Sequence, residues 1–273
     1  MKTICELYNT FFDKTQITIK YKNEIEIIFS EYCKIPKQEL YLNFNKKLDS
    51  STEEQILSAA HRRKSKEPLQ YILGYTDFFD CKINVNKSVL IPRPETEYLA
   101  EMITKESFNS ILDIGTGSGC IAISIKNKLP NVLVDAVDIS SDALEMAKEN
   151  AEQNNVEINF WGSDILENVT RKYDMIVSNP PYIPPHEYEE LAKEIIEYEP
   201  KNALLANDDG LYFYKEILNR AKDYLTENGI IYFEIGYNLA EGVKKSAFEN
   251  GFNDVKVFKD LNGFDRIIRV STR

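Results

Sequence analysis

Ser110-Ile111-Leu112-Asp113-Ile114-Gly115-Thr116-Gly117-Ser118-Gly119 runs an apolar segment into a loop of alternating glycines, and an apolar helical stretch from Cys120 to Ile125 follows at once. A run of this kind suits a strand buried on both faces of a parallel sheet. A glycine loop opening the next helix is how a nucleotide-binding α/β unit begins. The glycines admit positive φ and let a ligand approach the main chain closely. A dinucleotide site would want a further glycine at position 120, where this chain has Cys, so the G-x-G-x-G spacing argues against NAD. Twenty-three residues after Gly115, Asp138 ends the next apolar run, Val132 to Val137. A carboxylate there can accept both hydroxyls of a ribose, or cap a helix beginning near Ser141.

Beyond this unit the signals alternate: helix over 143–154, strands over 158–161 and 173–178, helix over 210–225, strand over 230–235, helix over 239–249, then closing strands at 255–258 and 266–270. The alternation predicts an α/β domain with a doubly wound, mostly parallel, Rossmann-like sheet and an antiparallel end. Such sheets bind ligands at the carboxyl ends of their strands. The glycine loop, Asp138, Ser163-Asp164 and Asn179 each follow a strand, so one crevice is expected to collect them.

Ser178-Asn179-Pro180-Pro181-Tyr182 leaves the strand 173–178. Consecutive prolines have no backbone N–H and offer only carbonyl oxygens, and a residue before proline is held extended, so a stiff arm rich in acceptors is expected. The Asn179 carboxamide oxygen and the Pro180 carbonyl can each accept one N–H of a planar NH₂ group, with Tyr182 as a flat face for it. Asn-Pro-Pro can also serve only to end a strand.

Upstream, apolar residues at helical spacing (Ile25, Ile28, Tyr32; Ile56, Leu57, Ala60) predict a small helical bundle over residues 1–76. Helix starts are expected at Ile35-Pro36 and in the stretch from Asp49 to Glu54, with Ser51 or Thr52 as cap. The basic cluster His61-Arg62-Arg63-Lys64 reads as a solvated helix end or a partner contact. Short extended pieces at 77–79 and 82–85 predict a hairpin, within a linker over 77–95, ahead of a second domain over 96–273. Ile91-Pro92-Arg93-Pro94-Glu95-Thr96-Glu97 is stiffened by two prolines and leads into a helix through Ile103.

The chain holds 33 Lys+Arg and 44 Asp+Glu, and residues 1–80 carry 12 of each, so the whole excess of −11 lies on the second part. That surface would repel a phosphate backbone, which disfavours nucleic acid as a direct substrate. There is no long apolar span and no apolar leader at Met1 to Asn9, so a cytoplasmic protein without a membrane partner is expected. Cys5, Cys33, Cys81 and Cys120 have no metal-ligand spacing and His is confined to His61 and His186, so no metal site is expected.

Taken together, the Gly115 loop with Asp138, the Ser178-to-Ile183 arm, the Ile91-to-Glu97 segment, Glu67-Pro68-Leu69-Gln70-Tyr71, and Glu199-Pro200 followed by Asp209-Gly210-Leu211 resemble the release-factor glutamine methyltransferases, the HemK/PrmC family. The resemblance spans nearly the whole chain. Its most specific part is the Ile91-to-Glu97 segment, since the glycine loop is common to class I methyltransferases and Asn-Pro-Pro-Tyr to several amino-group methylators. It implies a class I methyltransferase domain with S-adenosylmethionine as methyl donor. The substrate implied is the glutamine of the Gly-Gly-Gln motif in peptide-chain release factors, with the helical domain recognising the protein. By position, Gly115, Thr116, Gly117, Ser118 and Gly119 would hold the methionine moiety, Asp138 the ribose, and Asp164 the adenine. Asn179, Pro180, Pro181 and Tyr182 would hold the glutamine amide, with Asn179 also beside the donor. Many members have an aromatic residue where this chain has Ile165, so adenine would be covered there by a branched aliphatic. Two other readings use the same residues: an adenine-N6 nucleic-acid methyltransferase, and a non-catalytic S-adenosylmethionine-binding module.

Overall fold

The computed structural model describes residues 1–12 and 19–272; the helical expectation for 13–18 lies outside the described residues. The chain forms two compact units, Met1–Gly74 and Tyr75–Arg273.

The first unit contains helices α1 (Ile4–Phe12), α2 (Ile19–Cys33), α3 (Ser50–Lys64) and α4 (Leu69–Leu73), with short 3₁₀ turns between α2 and α3. Ile4, Leu7, Ile25, Ile28, Phe29 and Ile56 are fully buried in one apolar core, while Tyr32 and Leu57 pack at its edge. The cap of α3 is Asp49, two or three residues before the expected Ser51 or Thr52: its Oδ1 accepts the Thr52 amide at 2.8 Å. The basic cluster at the end of α3 is partly turned inward. Arg62 forks onto the Glu67 carboxylate at 2.8 and 2.7 Å, and Arg63 Nε donates to Glu24 at 2.7 Å. Gly74, at φ 83°, closes α4 in the left-handed conformation that glycine adopts without a Cβ penalty.

The second unit opens with the hairpin β1 (Tyr75–Phe78) and β2 (Cys81–Asn84). The remaining strands are β3 (Ser110–Ile114), β4 (Leu133–Asp138), β5 (Asn159–Gly162), β6 (Tyr173–Ser178), β7 (Leu225–Glu234), β8 (Asp254–Lys259) and β9 (Asp265–Ser271). They form one sheet in the order β5-β4-β3-β6-β7-β9-β8, parallel through β7 and antiparallel at β9 and β8. Helices α5 (Pro94–Thr104), α6 (Cys120–Lys128), α7 (Ser141–Gln153), α10 (Tyr212–Tyr224) and α11 (Ala240–Glu249) cover the sheet, and short helices α8 (Pro185–Tyr188) and α9 (Lys193–Tyr198) follow the proline arm. Leu112, Ile176, Ile231, Phe233 and Ile268, from four neighbouring strands, are fully buried in one cluster, as two-sided burial requires of an apolar run.

Two differences from the expected elements have local causes. Strand β7 starts at Leu225 rather than near 230, because Leu225 already pairs with Tyr173 before a register shift, and α10 stops at Tyr224. The hairpin is docked inside the second unit: Asn84 donates its amide to Asn150 Oδ1 at 2.7 Å, and Asn150 Nδ2 donates to the carbonyls of Asn84 and Ser118 at 3.0 and 2.9 Å. One buried side chain on α7 therefore ties the hairpin to the glycine loop. Among the described residues, no helix is long and apolar enough to cross a membrane.

Candidate active site

At the carboxyl ends of β3, β4, β5 and β6 lies a cleft of about 1060 Å³ counted to its open mouth. The first wall is the glycine loop. Gly115, Gly117 and Gly119 have φ of 71°, 56° and 81°, which only glycine adopts freely. A Cβ built on Gly115 or Gly117 would meet nothing within 4 Å, so both face open space and leave a cradle of bare main chain. Gly119 differs: as the cap residue of α6, its Cβ would stand 2.9 Å from Ile123 Cδ1 and 3.1 Å from Ala147 Cβ. It serves the packing of α6 against α7 and does not line the cleft, whereas Gly115, Thr116, Gly117 and Ser118 do.

Asp138 ends β4 at the second wall and lines the cleft. Its Oδ2 accepts the Gly117 amide at 2.8 Å and its Oδ1 the Ser140 amide at 2.9 Å, and each carboxylate oxygen has more than one lone pair. Burial raises its pKa, and the amides of Ser140 and Gly117 counter that by favouring the charged form. The cap of α7 is Ser140, whose Oγ accepts the Ala143 amide at 3.2 Å, so Asp138 is not spent on capping. Asp113, at the end of β3, is fully buried, accepts from Thr116 Oγ1 at 2.7 Å and has an unpartnered Oδ1. Burial, with the nearby charge of Asp138, pushes it up to about 7.

The third wall is the loop after β5. Ser163 Oγ accepts the Asn168 amide at 3.0 Å and Asn168 Nδ2 donates to the Gly162 carbonyl at 2.9 Å, closing the loop on itself. Exposed Asp164 and half-buried Ile165 both line the cleft. Ile165 has φ 53°, a costly conformation for a β-branched residue, held here by a loop bonded on either side of it.

The arm after β6 forms the floor. Ser178 Oγ donates to the Ile114 carbonyl at 2.7 Å, tying the end of β6 to the end of β3 where the glycine loop begins. Asn179, Pro180 and Pro181 line the main cleft, while Tyr182 does not; it lines a side cavity with Leu90, Ile183, Ile195 and Glu234. Asn179 and Pro180 line both spaces. Asn179 Nδ2 donates to Thr96 Oγ1 at 3.3 Å, which turns the carboxamide nitrogen to the protein and leaves the oxygen as its free end. Burial raises the Tyr182 phenol far above its ordinary range, so it stays neutral. Cys120, at the start of α6, is buried and its thiol is pushed up to about 12, which removes it as a nucleophile.

Thr96 and Glu234 are site neighbours that the sequence reading did not single out. In the sequence Thr96 stands only as a member of the Ile91-to-Glu97 segment, with nothing to mark it as a partner of the arm. Glu234 carried a usable signal, an ionisable residue closing the apolar strand Ile230-Ile231-Tyr232-Phe233, in the position at a strand's carboxyl end where ligands bind. Phe213, at the start of α10, and Asn202, in the turn after α9, also line the main cleft, and no local pattern ties either to it.

This sheet order, with its antiparallel β9, the glycine loop and the acceptor arm, defines a class I methyltransferase. Residues 94–213 match the Methyltransferase small domain family and residues 18–74 the PrmC N-terminal domain. The chain is 43% identical over 253 residues to the release factor glutamine methyltransferase of Lactococcus lactis subsp. lactis (strain IL1403), covering 90% of this chain and 93% of that one. It is 41% identical over 280 residues to the release factor glutamine methyltransferase of Flavobacterium psychrophilum (strain ATCC 49511 / DSM 21280 / CIP 103535 / JIP02/86), with 97% and 98% covered. A methyltransferase structure from Pyrococcus furiosus superposes with a TM-score of 0.57 at 20% identity, over 82% of this chain and 99% of that one, a likeness of fold alone. The chain belongs to the release factor glutamine methyltransferase family.

Proposed function

We propose that the chain transfers the methyl group of S-adenosylmethionine to the side-chain amide nitrogen of the glutamine in the Gly-Gly-Gln motif of peptide-chain release factors. The observation that carries this is the place of Asn179 and Pro180, which line both the main cleft and the side cavity, so an amide held by their oxygens lies next to whatever fills the cleft. The cleft suits the donor: bare glycine main chain for its methionine part, the Asp138 carboxylate for the ribose, Asp164 and Ile165 for the adenine. When bound, S-adenosylmethionine supplies an electrophilic methyl on a sulfonium.

An amide nitrogen is a weak nucleophile because its lone pair is shared with the carbonyl. Asn179 Oδ1 and the Pro180 carbonyl accept the two N–H groups of the substrate, which fixes the nitrogen and favours positive charge on it as the new bond forms; one of those two protons is then released to solvent, restoring a neutral amide. Tyr182 and the apolar Leu90 and Ile195 hold the side chain and keep water out of the side cavity. The helical unit Met1–Gly74 is the natural site for recognising the protein around the glutamine, since one side chain is too small to select a protein.

The deciding experiment is transfer of labelled methyl to purified release factor, to the same factor with Gln→Ala in Gly-Gly-Gln, and to DNA. Label on the first alone supports the reading; label on DNA or on the Gln→Ala factor overturns it.

A further inference from the structure

Asn179 is held from behind by two residues. Its Nδ2 donates to Thr96 Oγ1 at 3.3 Å, and Thr96 Oγ1 donates to Glu234 Oε2 at 2.6 Å, linking the arm to α5 and to the end of β7. Thr96 and Glu234 are each only 2% exposed, so bulk water does not compete for these bonds. A carboxylate can only accept, and a hydroxyl has one proton. With that proton given to Glu234, Thr96 Oγ1 shows Asn179 nothing but lone pairs. The carboxamide must meet it with NH₂ and turn its oxygen the other way.

Resting on the function proposed above, we infer that Thr96 and Glu234 are positioning residues: their directed pair of hydrogen bonds decides that Asn179 offers the substrate amide an acceptor rather than two donors. The two ends of a carboxamide are nearly equal in size, so packing alone does not choose between them, whereas hydrogen-bond polarity does.

The direction of the chain depends on the charge of Glu234. The groups around it are Arg266 on β9, Arg93 and Glu95 at the start of α5, Tyr182 on the arm, Tyr214 on α10 and Cys120 on α6. Burial raises Glu234 most and Glu95 adds to that, while the Thr96 hydrogen bond and the charges of Arg266 and Arg93 lower it, leaving it at about 7. Burial keeps both phenols and the Cys120 thiol neutral through that range. On the acid side, a carboxyl proton given to Thr96 Oγ1 frees the threonine proton to turn to Asn179. The carboxamide then meets it with oxygen and faces the substrate N–H groups with its own.

Three measurements test this. Thr96→Val, which removes the hydroxyl and keeps the volume, should lower kcat on release factor about tenfold, the worth of roughly one net hydrogen bond, while donor affinity by calorimetry and KM for the factor stay within about twofold. Thr96→Ser should recover most of the loss. The wild-type kcat should fall below about pH 7, and Glu234→Gln should remove that acid limb. In an Asn179→Asp background, where both ends of the side chain are oxygens, Thr96→Val should cost nothing further, which a merely structural role for Thr96 would not give. Wild-type kcat in a folded Thr96→Val, an acid limb unchanged by Glu234→Gln, or an undiminished Thr96→Val loss in the Asn179→Asp background would each overturn the inference. Inactivity of the wild type on release factor would instead strike the proposed function.

Discussion

Arg93 Nη2 reaches Glu199 Oε1 at 2.5 Å across 106 residues of sequence, and the other oxygen of Glu199 accepts the Ile91 amide at 3.3 Å. One buried carboxylate thus clamps the Ile91-to-Glu97 segment onto the segment that follows α9. Arg93→Ala would leave that carboxylate unpaired. A loss of about 2 kcal/mol is expected, less than for a fully buried pair because the Arg93 side chain is 34% exposed. Urea unfolding measures it. Adding Glu199→Gln to Arg93→Ala should recover part of the loss, and a double variant less stable than the single one would refute the clamp.

Asp138 supports the glycine loop as well as facing the cleft. Asp138→Ala deprives the Gly117 and Ser140 amides of their acceptor and removes the carboxylate proposed for the ribose. Donor binding should weaken about 10- to 100-fold. Calorimetry with S-adenosylmethionine checks this, and unchanged affinity in a folded variant would remove Asp138 from the site.

Gly210 lies outside the cleft yet supports the arm from the side. At φ 88° a Cβ on it would stand 2.5 Å from the Tyr182 carbonyl oxygen, a backbone atom that cannot swing away. Gly210→Ala should shift the arm by a fraction of an ångström and lower kcat on the order of 10²-fold, with donor affinity little changed. Steady-state kinetics together with calorimetry separate the two effects. Equal losses in kcat and donor binding would point to general unfolding instead.

Stability should fall as pH rises from about 5 to about 8. Asp113 and Glu234 are both raised to about 7 in the folded chain by burial, against about 4 when unfolded. The folded state therefore holds more protons than the unfolded one between those values. The stabilisation is full below the unfolded pKa and is lost as pH passes the folded one. Carboxylates lowered by their partners, such as Asp174 and Asp260, act in the opposite sense and at lower pH. Urea midpoints across this range check the slope, and Glu234→Gln should flatten it.

The parts of the site carried by one continuous stretch were readable from the sequence. A parallel strand buried on both faces is an unbroken apolar run, the loop after it must be glycine where φ is positive, and the arm is fixed by proline chemistry at the end of β6. The pairing of Thr96 with Glu234 spans 138 residues, and no local pattern records such a bond. The same holds for Tyr182, whose motif is contiguous with Asn179 although it lines the side cavity and not the main cleft. The short helices α8 and α9 leave no pattern in the sequence, because four and six residues are too few to show a period. The start of β7 is not written locally either, because Leu225 is strand only by virtue of its neighbour Tyr173.

Asn150 uses both ends of its carboxamide, accepting the Asn84 amide and donating to the carbonyls of Asn84 and Ser118. With Asp138 holding the Gly117 amide, the glycine loop is fastened at two successive residues by side chains that a ligand does not supply. Ordering a free backbone costs on the order of 1 kcal/mol per residue. In this chain that entropy is lost once, when the domain folds, so a ligand entering the cradle meets a loop already in shape and keeps more of its contact energy as affinity.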